Sequence, residues 1–328
     1  MAMTTMPIFL KSSGKISECR LTNTERKGKK VRGIMEEIKF IAYESFCTIK
    51  IEDNIRDIRE ILMQCRKMAY NVQDTLNMYD CNSELFVLCK NYIPGRACKI
   101  SDLLESFIRI NLEVSRMTGG IFDFTVGRLK KNWNFITDTP EIPSDKTISV
   151  ALNTIGYHNV HLDKNHKVIF DIPDILLDPG ASGKGMALDL VTDYLRLKGV
   201  KHAMLDFGGQ LSVIGGKKTG EPWKVGIRDP LNPSLIYEVK EVMDRSIATS
   251  SWYEHYFEKE GRIYSHVLDP VSGKPIVSNV KSATVIGESA AWADILSTVF
   301  VLLGKEKGVH FMEKISAEKG LDLSWSFC

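Results

Sequence analysis

What this 328-residue chain lacks narrows its class first. It carries seven cysteines (Cys19, Cys47, Cys65, Cys81, Cys89, Cys98 and Cys328), but no Cys-x-x-Cys pair, and the number is odd. That scatter argues against a zinc site or a disulfide framework and fits a reducing compartment. Surplus charge is also missing: 43 Lys and Arg stand against 41 Asp and Glu, a net charge of +2. Nucleic acid and anionic membrane surfaces attract large basic excesses, so neither is expected as the main partner. No apolar run is long enough to span a bilayer, and the short patch from Met6 to Leu10 has no cleavage pattern after it. The expectation is a cytoplasmic protein with neither signal peptide nor membrane span. No Gly-x-Ser-x-Gly elbow accompanies Ser182, Ser250 or Ser251, which sets a serine hydrolase aside. Internal repeats and low-complexity tracts are absent too. What remains is an ordinary globular composition, 44% apolar and 26% charged, long enough for one large domain or two smaller ones.

Residues 1 to 36 mix Lys, Arg, Ser and Thr with little periodicity and read as a flexible lead or an edge hairpin. Glu37 to Ile51 alternates and is rich in β-branched and aromatic residues, the pattern of a strand. Ile58, Ile61, Leu62, Cys65, Met68 and Ala69 recur at helical spacing, predicting a long amphipathic helix over 55–79. Ser101 can cap a second helix that Gly119-Gly120 ends. The tract 133–174 holds Pro140, Pro143 and Pro173 and reads as loop, with short strands at Val160–Leu162 and Val168–Ile172. Further strands are predicted at 203–207, 211–214, 223–227, 236–242, 263–267 and 282–286, with helices over 189–197 and 290–303. Strand groups separated by single long helices point to an α+β fold rather than a regular βαβ series.

Three segments carry chemistry-bearing residues. Asp178-Pro179-Gly180-Ala181-Ser182-Gly183-Lys184-Gly185 follows an apolar strand and opens a helix, so glycines, helix N–H groups and a lysine converge as a diphosphate would require. It is not a P-loop, because no Ser or Thr follows the lysine. Asp294 and Thr298 lie four apart in an apolar run, which puts two oxygen groups on one helix face, a pairing suited to a hard cation such as Mg²⁺. His266 stands between apolar neighbours just before an Asp269-Pro270 turn. Each also has a structural reading: a glycine-rich turn with a solvated lysine, a threonine bonded to its own helix, a satisfied core histidine. Gly119-Gly120-Ile121-Phe122-Asp123 and Phe207-Gly208-Gly209-Gln210 are equally open between tight turn and ligand contact.

Taken in order, these motifs resemble the ApbE family of FAD:protein FMN transferases. The resemblance runs from about residue 37 to the C-terminus. It rests on Tyr79-Asp80-Cys81-Asn82-Ser83-Glu84-Leu85, Thr118-Gly119-Gly120-Ile121-Phe122-Asp123, the Asp178-to-Gly185 segment, Phe207-Gly208-Gly209, Ile247-Ala248-Thr249-Ser250, Tyr264-Ser265-His266-Val267-Leu268-Asp269-Pro270 and Ala293-Asp294 through Thr298. It implies one ApbE-like, T-fold-related domain over 37–328, with two intertwined subdomains of mixed and antiparallel sheets around an FAD cleft. It also implies a Mg²⁺-dependent transfer (Mn²⁺ being an alternative) of FMN from FAD to a Ser or Thr hydroxyl of a target flavoprotein, with release of AMP. By position the resemblance makes His266 the general base, and Asp294, Thr298 and the Ala181 carbonyl the cation ligands. Tyr43, Tyr79, Ile121, Phe122, Asp123, Asp178, Lys184, Gly208, Gly209 and Leu268 become FAD contacts. An imidazole of ordinary pKa, about 6.5, suits a base acting near neutrality. Two alternatives use the same residues: a Mg²⁺-dependent FAD diphosphatase giving FMN and AMP, and a flavin-binding protein without turnover. Against the family pattern, Glu44-Ser45 replaces Gly-Thr, Pro179 an aliphatic, Ser182-Gly183 replaces Ile-Ala, Gln210 replaces Asn or Asp, and Ser251 replaces Gly. A Glu44 facing the cleft would repel phosphate.

Overall fold

The computed structural model describes residues 35–135, 140–232, 234–252 and 256–328, so nearly all of the segment read as an N-terminal lead lies outside it. In chain order the described elements are β1 (Glu36–Ala42), β2 (Ser45–Ile51), α1 (Ile58–Leu76), α2 (Glu84–Asn91), β3 (Cys98–Lys99), α3 (Asp102–Met117), α4 (Gly127–Trp133), α5 (Asp145–Leu152), β4 (Val160–Leu162), β5 (Lys167–Phe170) and α6 (Gly183–Leu197). There follow β6 (Ala203–Phe207), β7 (Gln210–Ile214), β8 (Trp223–Arg228), β9 (Ile236–Val242), β10 (Ser246–Ser251), β11 (Tyr256–Lys259), β12 (Arg262–Ser265), β13 (Ser282–Gly287), α7 (Ala290–Leu303), α8 (Lys305–Lys319) and β14 (Ser324–Phe327).

A seven-stranded antiparallel sheet in the order β1-β2-β6-β7-β10-β13-β14 forms the frame, with smaller sheets β3-β5-β4, β8-β9 and β11-β12 beside it. The fold is α+β, as the alternation of strand groups and helices predicted. Alternate residues Ile38, Phe40 and Ala42 of β1 and Cys47, Ile49 and Ile51 of β2 point inward, so the period of two covers one face of the sheet. The apolar stripe of α1 (Ile61, Leu62, Cys65, Ala69, Val72, Leu76) packs on that face, with α6 between α1 and α7. One buried cluster runs from Ile38 through Phe107, Leu177 and Leu205 to Val299, so elements from both ends of the chain share it.

Hydroxyl caps fix where helices begin. Ser101 Oγ accepts from Leu104 N at 3.2 Å, Ser83 Oγ from Phe86 N at 3.0 Å and Ser289 Oγ from Trp292 N at 3.2 Å. The Gly119-Gly120 stop is borne out, with φ of 61° and 85°.

Three expectations need correction. The stretch 37–51 is not one strand but a hairpin, because Tyr43 and Glu44 both take left-handed conformations (φ 53° and 55°) and turn the chain. The tract 133–174 holds a helix besides the loop and two short strands read there: Ser144 caps α5 by accepting from Thr147 N at 3.1 Å. His266 lies just past β12 rather than within a strand.

Candidate active site

A cavity of ≈ 390 Å³ opens between the β1–β2 turn, the end of α1, the 121–126 segment, the start of α6, β10, the His266 arm and α7. Every residue that the resemblance made a base, a cation ligand or an FAD contact lines it except Gly208 and Gly209. These two glycines form the β6–β7 turn, with φ of 65° and 91°. A Cβ at Gly208 would lie 2.6 Å from Ser45 Cβ, so this glycine serves the close approach of two hairpin turns.

The α6–α7 junction builds the polar floor. Backbones cross so closely there that a Cβ on Gly185 would meet the Ala290 carbonyl oxygen at 2.5 Å. The same glycine's N–H donates to Asp294 Oδ2 at 3.0 Å, holding a carboxylate that is only 2% exposed. The start of α7 is fixed from α6 as well: Asp189 accepts from the Ala290 and Ala291 amides at 2.6 and 3.0 Å and from the Ser289 hydroxyl at 2.6 Å. Ser182 and Gly183 N–H groups both go to the Pro179 carbonyl, so fewer helix-end amides remain for an anion than the glycine-rich sequence implied. Lys184 is half-buried at the cleft and makes no ion pair among the described residues.

His266 lines the cleft from an arm pinned on both flanks. Before it, Phe257 and Tyr264 stack across β11–β12 with centroids 5.1 Å apart, and Trp133 lies 5.7 Å from the Tyr264 ring. After it, Val267 N donates to Ser265 Oγ and Ile276 N to the Val267 carbonyl, both at 3.0 Å. Asp269 then locks the predicted turn by accepting from the Val271 and Ser272 amides at 3.0 and 3.2 Å. His266 and Thr298 are both half-buried, while Leu268 is 5% exposed.

The remaining wall is acidic and aromatic. Tyr43 donates its hydroxyl to the Ala69 carbonyl at 2.5 Å and stacks on Phe207, which anchors the hairpin turn and presents Glu44 to the cleft. Tyr79 is 53% exposed as a residue, yet loss of solvent around its hydroxyl raises that group above its ordinary value, with the Asp178 and Glu44 carboxylates adding to the shift, so the three groups share one neighbourhood. Asp178 receives Gly180 N at 3.0 Å and lies 3.5 Å from Lys130 Nζ. Asp123 is 7% exposed and accepts from Thr125 N, Thr125 Oγ1 and Tyr157 N at 2.9, 2.6 and 2.8 Å. Burial pushes its carboxyl above the usual range, and these hydrogen bonds pull it part of the way back. Reading the sequence missed Lys130, Gln73 and Asn77 as lining residues. Lys130 meets Asp178 across 48 positions, and no local pattern announces such a pairing.

Known proteins resemble this chain in sequence and in overall fold. The ApbE family matches residues 43–322. An FAD:protein FMN transferase of Vibrio cholerae serotype O1 (strain ATCC 39541 / Classical Ogawa 395 / O395) is 29% identical over 265 residues, 80% of this chain and 79% of that one. Another, of Escherichia coli (strain K12), is 31% identical over 221 residues, spanning 66% of this chain and 63% of its own length. Among solved structures, the flavin transferase ApbE from Vibrio cholerae superposes with a TM-score of 0.80 at 26% identity, covering 89% of this chain and 93% of that one. The ApbE protein of Thermotoga maritima gives a TM-score of 0.79 at 28% identity, covering 89% and 94%. The matched span opens at Tyr43 and runs past Leu302, so it takes in every residue that lines the cleft, and the chain belongs to the ApbE family.

Proposed function

We propose that this chain is an FAD:protein FMN transferase that passes the FMN part of FAD to a Ser or Thr hydroxyl of an acceptor flavoprotein and releases AMP. The observation that carries the reading is the meeting, in one cleft, of an imidazole, a lysine and a carboxylate–hydroxyl pair one helical turn apart. The names of the Vibrio and Escherichia relatives support the same chemistry.

Asp294, Thr298 and the Ala181 carbonyl offer oxygen donors only, and no cluster of three His, Cys, Asp or Glu that could hold a metal occurs among the described residues. That donor set fits a hard divalent cation, Mg²⁺ or Mn²⁺, which takes few protein ligands and leaves the rest of its shell to phosphate and water. When bound, such a cation neutralises charge on the diphosphate.

The protein's own groups account for the remaining work. Tyr43, Tyr79, Ile121, Phe122, Asp123, Asp178 and Leu268 hold the dinucleotide along the cleft, and Lys184 gives its diphosphate a positive neighbour. The acceptor oxygen forms a bond to the FMN phosphorus as the bond from that phosphorus to the AMP oxygen breaks. A ring nitrogen of His266 takes the acceptor proton, which is what an alcohol of high pKa needs as it attacks. Buried Phe122, Val267 and Leu268 keep competing water from the reacting atoms.

The test is incubation of the purified chain with FAD and Mg²⁺, with and without a protein domain bearing an Asp-Gly-x-Ser/Thr-Gly-Ala-Thr segment, following AMP and acceptor mass together. Cation-dependent gain of one FMN by the acceptor, matched by AMP, is expected. AMP with free FMN and an unmodified acceptor would instead make the protein a diphosphatase, and bound FAD without AMP a flavin carrier.

A further inference from the structure

The hydroxyl of Thr298 ends a hydrogen-bond chain whose direction is fixed. Ser297 Oγ lies 2.8 Å from the Asp294 carbonyl oxygen. A carbonyl only accepts, so the single Ser297 proton goes there. Ser250 Oγ is 2.7 Å from Ser297 Oγ, and with the Ser297 proton already committed Ser250 must be the donor. Ser250 Oγ is also 3.0 Å from Thr298 Oγ1, where the same reasoning makes Thr298 the donor. The rival acceptor for Thr298 is the Asp294 carbonyl one turn back, at 3.4 Å, which is beyond the usual range for an O–H donor. The Thr298 proton therefore points toward β10, and its lone pairs are left for the cleft. A hydroxyl that binds a cation needs this arrangement, because it must accept toward the metal and place its proton elsewhere.

Two features keep the chain from scrambling. Ser297 is 0% exposed, so water does not compete for its proton. β10 is tied beside β7 by the Gln210 side chain, which accepts from Thr249 N at 3.0 Å and donates to the Thr249 carbonyl at 3.3 Å. Ser250 is the next residue along that strand.

We propose that Ser250, backed by Ser297, is a positioning residue that keeps Thr298 oriented as a lone-pair donor to a divalent cation. The inference rests on Asp294 and Thr298 being the cation ligands. It is tested by titrating the full chain with Mn²⁺ alone, reading free Mn²⁺ by electron paramagnetic resonance, with thermal midpoints measured in parallel. Outer partners of metal ligands typically control about 10–100-fold in affinity. Ser250→Ala should weaken Mn²⁺ binding by roughly that factor, and Ser250→Thr, which keeps a hydroxyl, should bring it back to within about three-fold of the parent. Ser297→Ala frees the Ser250 proton to turn onto Thr298, and should weaken binding without any substitution in β10. Asp294→Ala should abolish binding. If Asp294→Ala abolishes binding while Ser250→Ala and Ser297→Ala bind like the parent, the positioning role is wrong and the ligand assignment stands. If the parent binds no Mn²⁺, or Asp294→Ala binds as well as the parent, the ligand assignment fails and the positioning role falls with it. Lowered midpoints with weak binding that Ser250→Thr does not restore would make Ser250 merely structural.

Discussion

Replacing Gly185 with alanine separates stability from function at the α6–α7 junction. The new Cβ would stand 2.5 Å from the Ala290 carbonyl oxygen and 2.7 Å from Ala291 Cα, against an ordinary contact of 3.4 Å or more. Both obstacles are backbone, so the helices must part by roughly 1 Å, a typical overpacking cost of about 1–3 kcal/mol. Alanine returns roughly 1 kcal/mol of helix propensity, which leaves a net loss of about 0–2 kcal/mol and a midpoint only a few degrees lower. The functional effect is larger because the displaced atoms hold the proposed cation ligand Asp294. The Gly185 N–H fixes Asp294 Oδ2 at 3.0 Å, and a misplacement of about 1 Å can cost on the order of 100-fold in rate. Gly185→Ala should therefore fold, melt within a few degrees of the parent, and transfer FMN about 100-fold more slowly. The assay pairs thermal unfolding with AMP release at saturating FAD. Parent-like turnover would refute the reasoning, because it would mean that the crossing relaxes without moving Asp294.

Other substitutions test other walls of the cleft. His266→Ala should lower transfer by about 10²–10⁴-fold, the usual worth of a general base, while leaving FAD affinity within a few-fold by fluorescence titration; a large loss of binding would make the residue structural. Glu44→Gln removes a carboxylate facing the cleft. At about 10 Å and an effective dielectric of about 40–80, its repulsion of one phosphate charge is roughly 0.4–0.8 kcal/mol, so FAD should bind about 2–4-fold tighter. Weaker FAD binding would show that Glu44 accepts a hydrogen bond from the ligand instead. Burial raises the Asp189 carboxyl above the usual range, so above the ordinary carboxylate pKa the folded state keeps a proton that the unfolded chain has lost. Its contribution to stability therefore falls as pH rises from that range through the raised value. In urea unfolding, the advantage of the parent over Asp189→Asn should shrink across that window, and a growing advantage would contradict the assignment.

Elements with their own punctuation were legible in the sequence. The stripe of α1, the serine cap of α3, the double-glycine stop and the Asp269 turn are each encoded within a few residues. Asp294 and Thr298 share a helix face because they share a helix. Less was legible where the deciding contact is distant or where the local signal points the other way. Tyr43-Glu44 lacks the Asn or Gly that marks a two-residue turn, and it is held by Gln73, Ala69 and Phe207 instead. α5 follows two prolines that read as loop, and α8 has too weak an apolar stripe to announce itself.

The same distinction sorts the departures from the family pattern. Ser182 is tied by Asn111 Nδ2 at 2.9 Å across 71 positions, and Gln210 clasps Thr249 across 39. Those two substitutions changed side chains but found partners within the fold. Ser251 is 2% exposed and its hydroxyl has no hydrogen-bond partner among the described residues, a desolvated polar group of roughly 1–3 kcal/mol borne at the cleft wall. Glu44 alone among these departures adds a charge, and it does so on a turn whose aromatic partner is locked to α1. An exposed carboxylate on the cleft rim, beside the anionic substrate proposed for that cleft, either lowers affinity or reads a donor on that substrate. The direction of the Glu44→Gln change in FAD affinity decides between the two.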